Sequence, residues 1–154
     1  MTRLSEGDRA PGFTLKDQNG EKVALKDFAG QRIVLYFYPA DETPGCTKEA
    51  CQFNDELAAF RALKVTVIGV SPDGADAHRA FREKYTLNFA LLSDPDKTVM
   101  EKYGAWGEKM MYGKKVVGVI RSTFVIGPTG RIERAFYGVR ANGHALKVLT
   151  ALSA

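Results

Sequence analysis

Three observations predict an α/β fold with a mixed central sheet flanked by helices. Short β-branched and aromatic runs alternate with segments of helical period. The first two long runs are separated by a helix-sized stretch, so the right-handed crossover rule makes them parallel. The last two runs are joined by Gly127-Pro128-Thr129-Gly130. That is a hairpin-length loop, which makes its two strands antiparallel.

Taken in chain order, Phe13–Leu15 and Lys22–Ala24 flank Asn19-Gly20, the signature of an N-terminal β-hairpin. Gln31–Tyr38 contains the run IVLYFY and reads as a strand buried on both faces. A turn-rich loop, PADETPGC, comes next. Thr47–Leu63 reads as a helix whose apolar face is Ala50, Phe53, Leu57 and Phe60. Val65–Ser71 is a second buried strand. Asp76–Tyr85 reads as a helix with Ala77, Ala80 and Phe81 as its apolar positions. Asp94-Pro95-Asp96 is a turn and Lys97–Tyr103 a short helix. Gly104–Gly113, with Trp106 and the pair Met110-Met111, takes no assignment. Ser122–Ile126 and Arg131–Tyr137 are the closing strands, and their loop calls for a left-handed glycine. Asn142–Leu152 is the last helix, with Asn142 as its N-cap.

The 154 residues carry no repeat, low-complexity tract or long linker, so a single domain over residues 1–154 is expected. A hydrophobic share of 45% and a charged share of 26% fall in the globular range. The net charge of +4 contains no run of five cations. Lys109, Lys114 and Lys115 therefore read as solvated surface, and no nucleic-acid partner is expected. No stretch approaches the roughly 20 apolar residues that cross a bilayer. The N-terminal residues lack the apolar core of a secretory signal, which points to the cytoplasm. Thiols are kept reduced there, so two cysteines are more readily redox-active or inert than a structural staple. His78 and His144 stand alone in the sequence and read as surface residues. With no paired ligand spacing, no metal site is expected.

Cys46 follows a buried strand and a loop and stands where a helix begins. The first N–H groups of a helix lack intrahelical partners, and the helix dipole adds partial positive charge. Both favour a thiolate, the reactive form of cysteine. Alternatively, Cys46 is a small buried hydrophobe. Thr43 offers a hydroxyl to a thiolate or bound oxygen, or else caps a turn. Pro39 ends the strand and either shields the thiolate or merely terminates pairing. Pro44 and Gly45 shape the loop and let backbone approach a small ligand. Cys51 lies five residues after Cys46. On a continuous helix that spacing separates the Cα atoms by roughly 8–9 Å, while a disulfide needs less than about 7 Å. Either Cys51 packs on the helix without meeting Cys46, or the first turns open once Cys46 is oxidised. Arg121, at the mouth of the strand Ser122–Ile126, is a surface arginine or a charge aimed at Cys46.

The pattern Pro39-x-x-x-Thr43-x-x-Cys46 resembles the active-site motif of peroxiredoxins. The string TPGCTKEAC, with Cys51 five residues on, is similar to the bacterioferritin comigratory protein or peroxiredoxin Q subfamily. RSTFVIGPTG around Arg121 resembles that family's later block, and the resemblance runs from about residue 5 to the end. It implies a thioredoxin-like fold and a thioredoxin-dependent peroxidase. Cys46 would be the peroxidatic cysteine and Cys51 the resolving one. Thr43 and Arg121 would orient the peroxide, Pro39 would shield the sulfur, and the Gly45 and Cys46 N–H groups would add donors. Glu49 would buttress Thr43 or Arg121, or else complement the helix dipole. Hydrogen peroxide and small alkyl hydroperoxides both suit such a site, with Phe37, Trp106 and Met110 as apolar candidates near its mouth. A thioredoxin-type dithiol would be the partner, no cofactor is needed, and a monomer is favoured. A peroxide-sensing regulator and a disulfide oxidoreductase are the competing classes. The latter normally uses Cys-x-x-Cys, which this chain lacks.

Overall fold

The computed structural model describes residues 3–153. Its centre is a seven-stranded sheet in the order β2-β1-β5-β4-β3-β8-β9. The strands are β1 (Thr14–Lys16), β2 (Lys22–Ala24), β3 (Arg32–Phe37), β4 (Val65–Ser71), β5 (Ala90–Ser93), β8 (Ser122–Ile126) and β9 (Ile132–Tyr137). A separate antiparallel pair, β6 (Trp106–Met111) and β7 (Lys114–Val119), lies between β5 and β8 in the chain. The helices are α1 (Pro44–Asp55), α2 (Leu57–Ala62), α3 (Ala75–Tyr85), α4 (Thr98–Lys102) and α5 (His144–Ser153).

The β3–β4 and β8–β9 pairings have the expected directions. β3 and β4 run parallel, as do β4 and β5, while β3–β8 and β8–β9 are antiparallel. β1 and β2 form the hairpin around Asn19-Gly20, with Gly20 at φ +77°. The β8–β9 loop closes through the Gly130 N–H donating to the Gly127 carbonyl, and Gly130 takes the left-handed φ of +81°.

β3 explains the run IVLYFY. Val34, Tyr36 and Tyr38 face a layer built from α1, α2, α3 and α5, where Phe53, Phe60, Phe81 and Val148 are buried. Ile33, Leu35 and Phe37 face the opposite layer with Val99, Met100, Tyr103 and Phe124. A strand covered on both faces has no polar side, hence the continuous apolar run.

Several expectations are corrected. The helix expected over 47–63 is two helices that part at Glu56, although Ala50, Phe53, Leu57 and Phe60 do form the buried face. On α3 the buried face is His78 and Phe81, while Ala77 and Ala80 are exposed. His78 and His144 are both buried, not at the surface. Each is drawn inward by a hydrogen-bond partner: Asp41 for His78 and Thr123 for His144. Asn142 does not cap α5. Its side-chain oxygen accepts from Gln52 Nε2, and the helix begins at His144. Gly104–Gly113 holds β6, whose sequence WGEKMM lacks period-2 alternation because most of its residues stay partly or fully exposed.

Gly69 of β4 sits opposite Tyr36 of β3, and a Cβ there would lie 2.9 Å from Tyr36 Cζ and 3.0 Å from Leu91 Cδ2. Tyr36 has little freedom to yield, because it stacks on Phe53 at 4.6 Å and on Tyr38 at 5.4 Å. Gly69→Ala is expected to destabilise the fold by about 1–3 kcal/mol through overpacking. Urea denaturation checks this; an unchanged midpoint contradicts it.

Candidate active site

Thr43 is the N-cap of α1 with extended φ/ψ of −74°/151°, and Pro44 occupies the first turn. Proline suits that place because its missing N–H has no intrahelical partner there in any case. The Thr47 N–H closes the first turn on the Thr43 carbonyl at 2.8 Å. The N–H groups of Gly45 and Cys46 precede it and have no partner within the helix. Cys46 therefore sits in the first turn at the positive end of the dipole, with only 1% of its surface exposed.

Arg121 reaches this turn from the connection between β7 and β8. Its Nη2 donates to Cys46 Sγ at 3.3 Å, and its Nη1 donates to Glu49 Oε1 at 2.6 Å. Glu49 is about one helical turn beyond Cys46 and fully buried, which aligns the guanidinium across the helix entrance. Gly45 makes room for it: a Cβ there would stand 3.3 Å from Arg121 Nη2. The Arg121 carbonyl accepts from the Val139 N–H at 3.0 Å, which ties its backbone to the segment after β9. Four residues read as candidates in the sequence thus meet in space: Gly45, Cys46, Glu49 and Arg121.

Thr43 is exposed and close by, but its hydroxyl donates to the Ala40 carbonyl at 2.9 Å. With the proton committed there, the oxygen lone pairs remain as acceptors. Pro39 comes just after β3, beyond Tyr38, whose N–H makes the last bond of the ladder to the Val70 carbonyl at 3.0 Å. Cys51 lies on the same unbroken α1 as Cys46, half-buried, and both thiols are free. Burial, helped by the Asp55 charge, pushes the Cys51 thiol up. It is therefore a weak nucleophile while the helix is intact.

The electrostatics of the site are governed by burial. It pushes the Glu49 carboxyl up to about 7, although the Arg121 charge and hydrogen bond pull the other way. Burial alone would lower the Arg121 guanidinium, but Glu49 and Cys46 together hold it above its ordinary value. Two neighbours expected at the solvated surface are instead half-buried and buried, Lys109 and His144. Lys109 Nζ donates to the Val119 carbonyl at 2.7 Å, and burial together with the Arg121 charge lowers its ammonium. Its signal lay in the unassigned segment. His144 Nε2 lies 2.8 Å from Thr123 Oγ1, and burial followed by the Lys147 and Arg121 charges holds it down at about 4. Phe37 and Trp106 pack in the layer across the sheet from Cys46, and Met110 is exposed. No group of three or more His, Cys, Asp or Glu suited to a metal occurs among the described residues.

A thiol at a helix entrance, held under a half-buried arginine on a thioredoxin-like sheet, defines a class of cysteine-based redox proteins. The chain belongs to the AhpC/TSA family, whose model matches residues 6–135. Within it the relatives are peroxiredoxins of the Bcp and peroxiredoxin Q kind. A Mycobacterium tuberculosis protein named as a peroxiredoxin is 52% identical over 152 residues, covering 99% of this chain and 97% of its own. Peroxiredoxin Bcp of Escherichia coli is 45% identical over 144 residues, with 94% and 92% covered. A mutant of Xylella fastidiosa PrxQ superposes with a TM-score of 0.91 at 38% identity, over 99% of this chain and 98% of that one.

The raised Glu49 carboxyl has a consequence for stability. The folded state keeps a proton that the unfolded chain releases above the ordinary value of 4.5. The stability contributed by this group is therefore highest below that value and declines as the pH rises toward about 7. Relative to Glu49→Gln, the wild type is expected to lose on the order of 2–3 kcal/mol across that window. Denaturation curves at a series of pH values measure it; a constant difference between the two proteins contradicts the assignment.

Proposed function

We propose that the chain is a thiol-dependent peroxidase that reduces hydrogen peroxide and alkyl hydroperoxides through Cys46. The observation that carries this reading is the Arg121 guanidinium. It contacts the Cys46 sulfur at 3.3 Å while anchored to Glu49 at 2.6 Å. A fixed cation beside the sulfur orients the groups that react there. It also meets the negative charge that develops on the peroxide oxygens as the O–O bond breaks. The Gly45 and Cys46 N–H groups add donors, and the Thr43 oxygen accepts a hydrogen bond from the hydroperoxide O–H. Pro39 covers the sulfur from the strand side. A relative from Xanthomonas campestris, 39% identical in sequence, is described by its alkyl peroxide reduction activity, which supports the organic substrates.

The cycle has three balanced steps. The thiolate attacks the near oxygen of ROOH, forming Cys46 sulfenic acid and releasing RO⁻, which takes a proton to leave as ROH. The sulfenic acid condenses with the Cys51 thiol, forming a disulfide and water. An external dithiol reduces that disulfide by exchange and leaves as its own disulfide. A thioredoxin-type protein is the proposed reductant, and a cytoplasmic monomer of one domain is the proposed working form. Among the described residues, no helix is long and apolar enough to cross a membrane. The regular geometry of α1 keeps the two Cα atoms roughly 8–9 Å apart, so the second step requires its first turns to open.

Peroxide consumption coupled to thioredoxin, thioredoxin reductase and NADPH tests the reading. Cys46→Ser is expected to abolish turnover; undiminished turnover rejects Cys46 as the nucleophile. One equivalent of peroxide is expected to lower the mass of the wild type by two hydrogens, through the Cys46–Cys51 disulfide. In Cys51→Ser the same treatment leaves an oxidised Cys46 without that mass loss. A persistent sulfenic or sulfinic acid in the wild type, with Cys51 still free, rules out Cys51 as the resolving thiol.

A further inference from the structure

We infer that His78, acting through Asp41, is a positioning residue for the peroxide reaction. It pins the loop that presents Thr43 and gives the opening of α1 a fixed upstream end. The inference rests on the peroxidase reading above and concerns residues that reading does not use.

Asp41 lies between Pro39 and Thr43 and is held from several sides. Tyr38 Oη donates to its Oδ1 at 2.5 Å. His78 Nδ1 lies 2.6 Å from its Oδ2, and His78 Nε2 lies 3.0 Å from the Leu92 carbonyl. Both ring nitrogens thus face oxygen atoms, which fixes the ring between Asp41 and the Leu92 carbonyl. The Asp41 N–H donates to Asp73 Oδ2 at 2.7 Å, and that carboxylate is itself held by Ser71 Oγ at 2.8 Å. The His78 and Asp41 side chains are 0% and 4% exposed. The groups that hold Asp41 come from the end of β3, from α3 and from the turn after β4. None belongs to α1, so the grip does not depend on that helix.

The chain beyond Asp41 has a different character. The Ala40 carbonyl, one residue before Asp41, accepts the Thr43 hydroxyl at 2.9 Å. The position of Asp41 therefore sets where the Thr43 oxygen stands relative to Cys46. Glu42 is a non-glycine residue at φ +61°, in the left-handed region, and its carboxylate pairs with Lys84 at 2.9 Å. Such a conformation persists only where the surrounding structure enforces it. A pinned residue, a strained joint and then a helix start is the order expected of a segment that unwinds on one side of a fixed point. A buried polar contact adds little net stability compared with apolar packing of the same volume. Its use here is to hold geometry.

The test compares wild type with His78→Gln, Asp41→Asn and Tyr38→Phe. The last removes a single hydroxyl donor and guards against a variant that does not fold. Stopped-flow mixing of reduced protein with hydrogen peroxide reads the second-order rate constant of Cys46 oxidation. Ultraviolet absorbance of the thiolate against pH reads the sulfur's own titration. The expected result is a fall in the rate constant of about tenfold or more for His78→Gln and Asp41→Asn, the scale of one charge-assisted hydrogen bond. A smaller fall is expected for Tyr38→Phe, with the thiolate titration unmoved in all three. A lowered thermal midpoint with an unchanged rate constant at 25 °C overturns the inference, because the pair would then be structural only. A rate loss matched by a shifted thiolate titration also overturns it, since the effect would pass through the charge on Cys46 and not through Thr43. Wild-type protein that fails to consume peroxide defeats the peroxidase reading itself and is seen before any variant is made.

Discussion

The guanidinium of Arg121 is the contact on which the site depends. It spans the first turn of α1, with one nitrogen at the Cys46 sulfur and another at the Glu49 carboxylate. The bridge needs three conditions at once. The helix must place residues three apart on one face, which any α-helix does. The position between strand end and cysteine must carry no side chain, and Gly45 supplies that. The segment joining β7 to β8 must end beside the helix entrance, and the antiparallel pairing of β8 with β3 brings it there. The sheet thus delivers the cation to the same edge where β3 delivers the thiol.

A buried carboxylate beneath that cation holds it at some loss of stability. Glu49 has one oxygen bonded to Arg121 and the other without a partner among the described residues. Burial raises its carboxyl to about 7 despite the adjacent positive charge. A more solvated carboxylate would be less destabilising but would let the guanidinium swing. Stability is given up for orientation, as is common where electrostatic preorganisation drives the chemistry. The half-buried Cys51 is arranged on a similar principle. Its thiol is held up by burial while α1 is intact, and in the proposed cycle it reacts only once the helix opens.

Much of the fold was legible in the sequence because its signals are local. β4 and β8 were placed with their observed bounds, and β3 and β9 to within a residue or so, since continuous β-branched and aromatic runs mark covered strands. Turn chemistry marked the β1–β2 and β8–β9 hairpins. What failed was of two kinds. β5 is only four residues long, and β6 and β7 are a largely exposed pair without alternation, so periodicity had nothing to report. The histidines were misread because a polar ring counts against burial unless its partner is known. Asp41 lies 37 positions from His78, and Thr123 lies 21 from His144. On α3 the same error rotated the helix face, taking two alanines as core where His78 and Phe81 hold it.

By itself the sequence determined that a cysteine stands at a helix entrance behind a covered strand, because that depends on short-range pattern and on the obligatory unpaired N–H groups of a helix start. It also determined that Cys51 is out of disulfide reach on a regular helix, because rise and rotation per residue are invariant. The tertiary structure alone decided that Arg121 is the cation at the sulfur, not a surface arginine, and that Glu49 pairs with it, not with Thr43. Thr43 turned instead to the Ala40 carbonyl, and Asp41 joined α3 through a buried histidine. The long-range members of this set join positions that nothing local relates, and only the closing of the sheet brings them within a few ångströms.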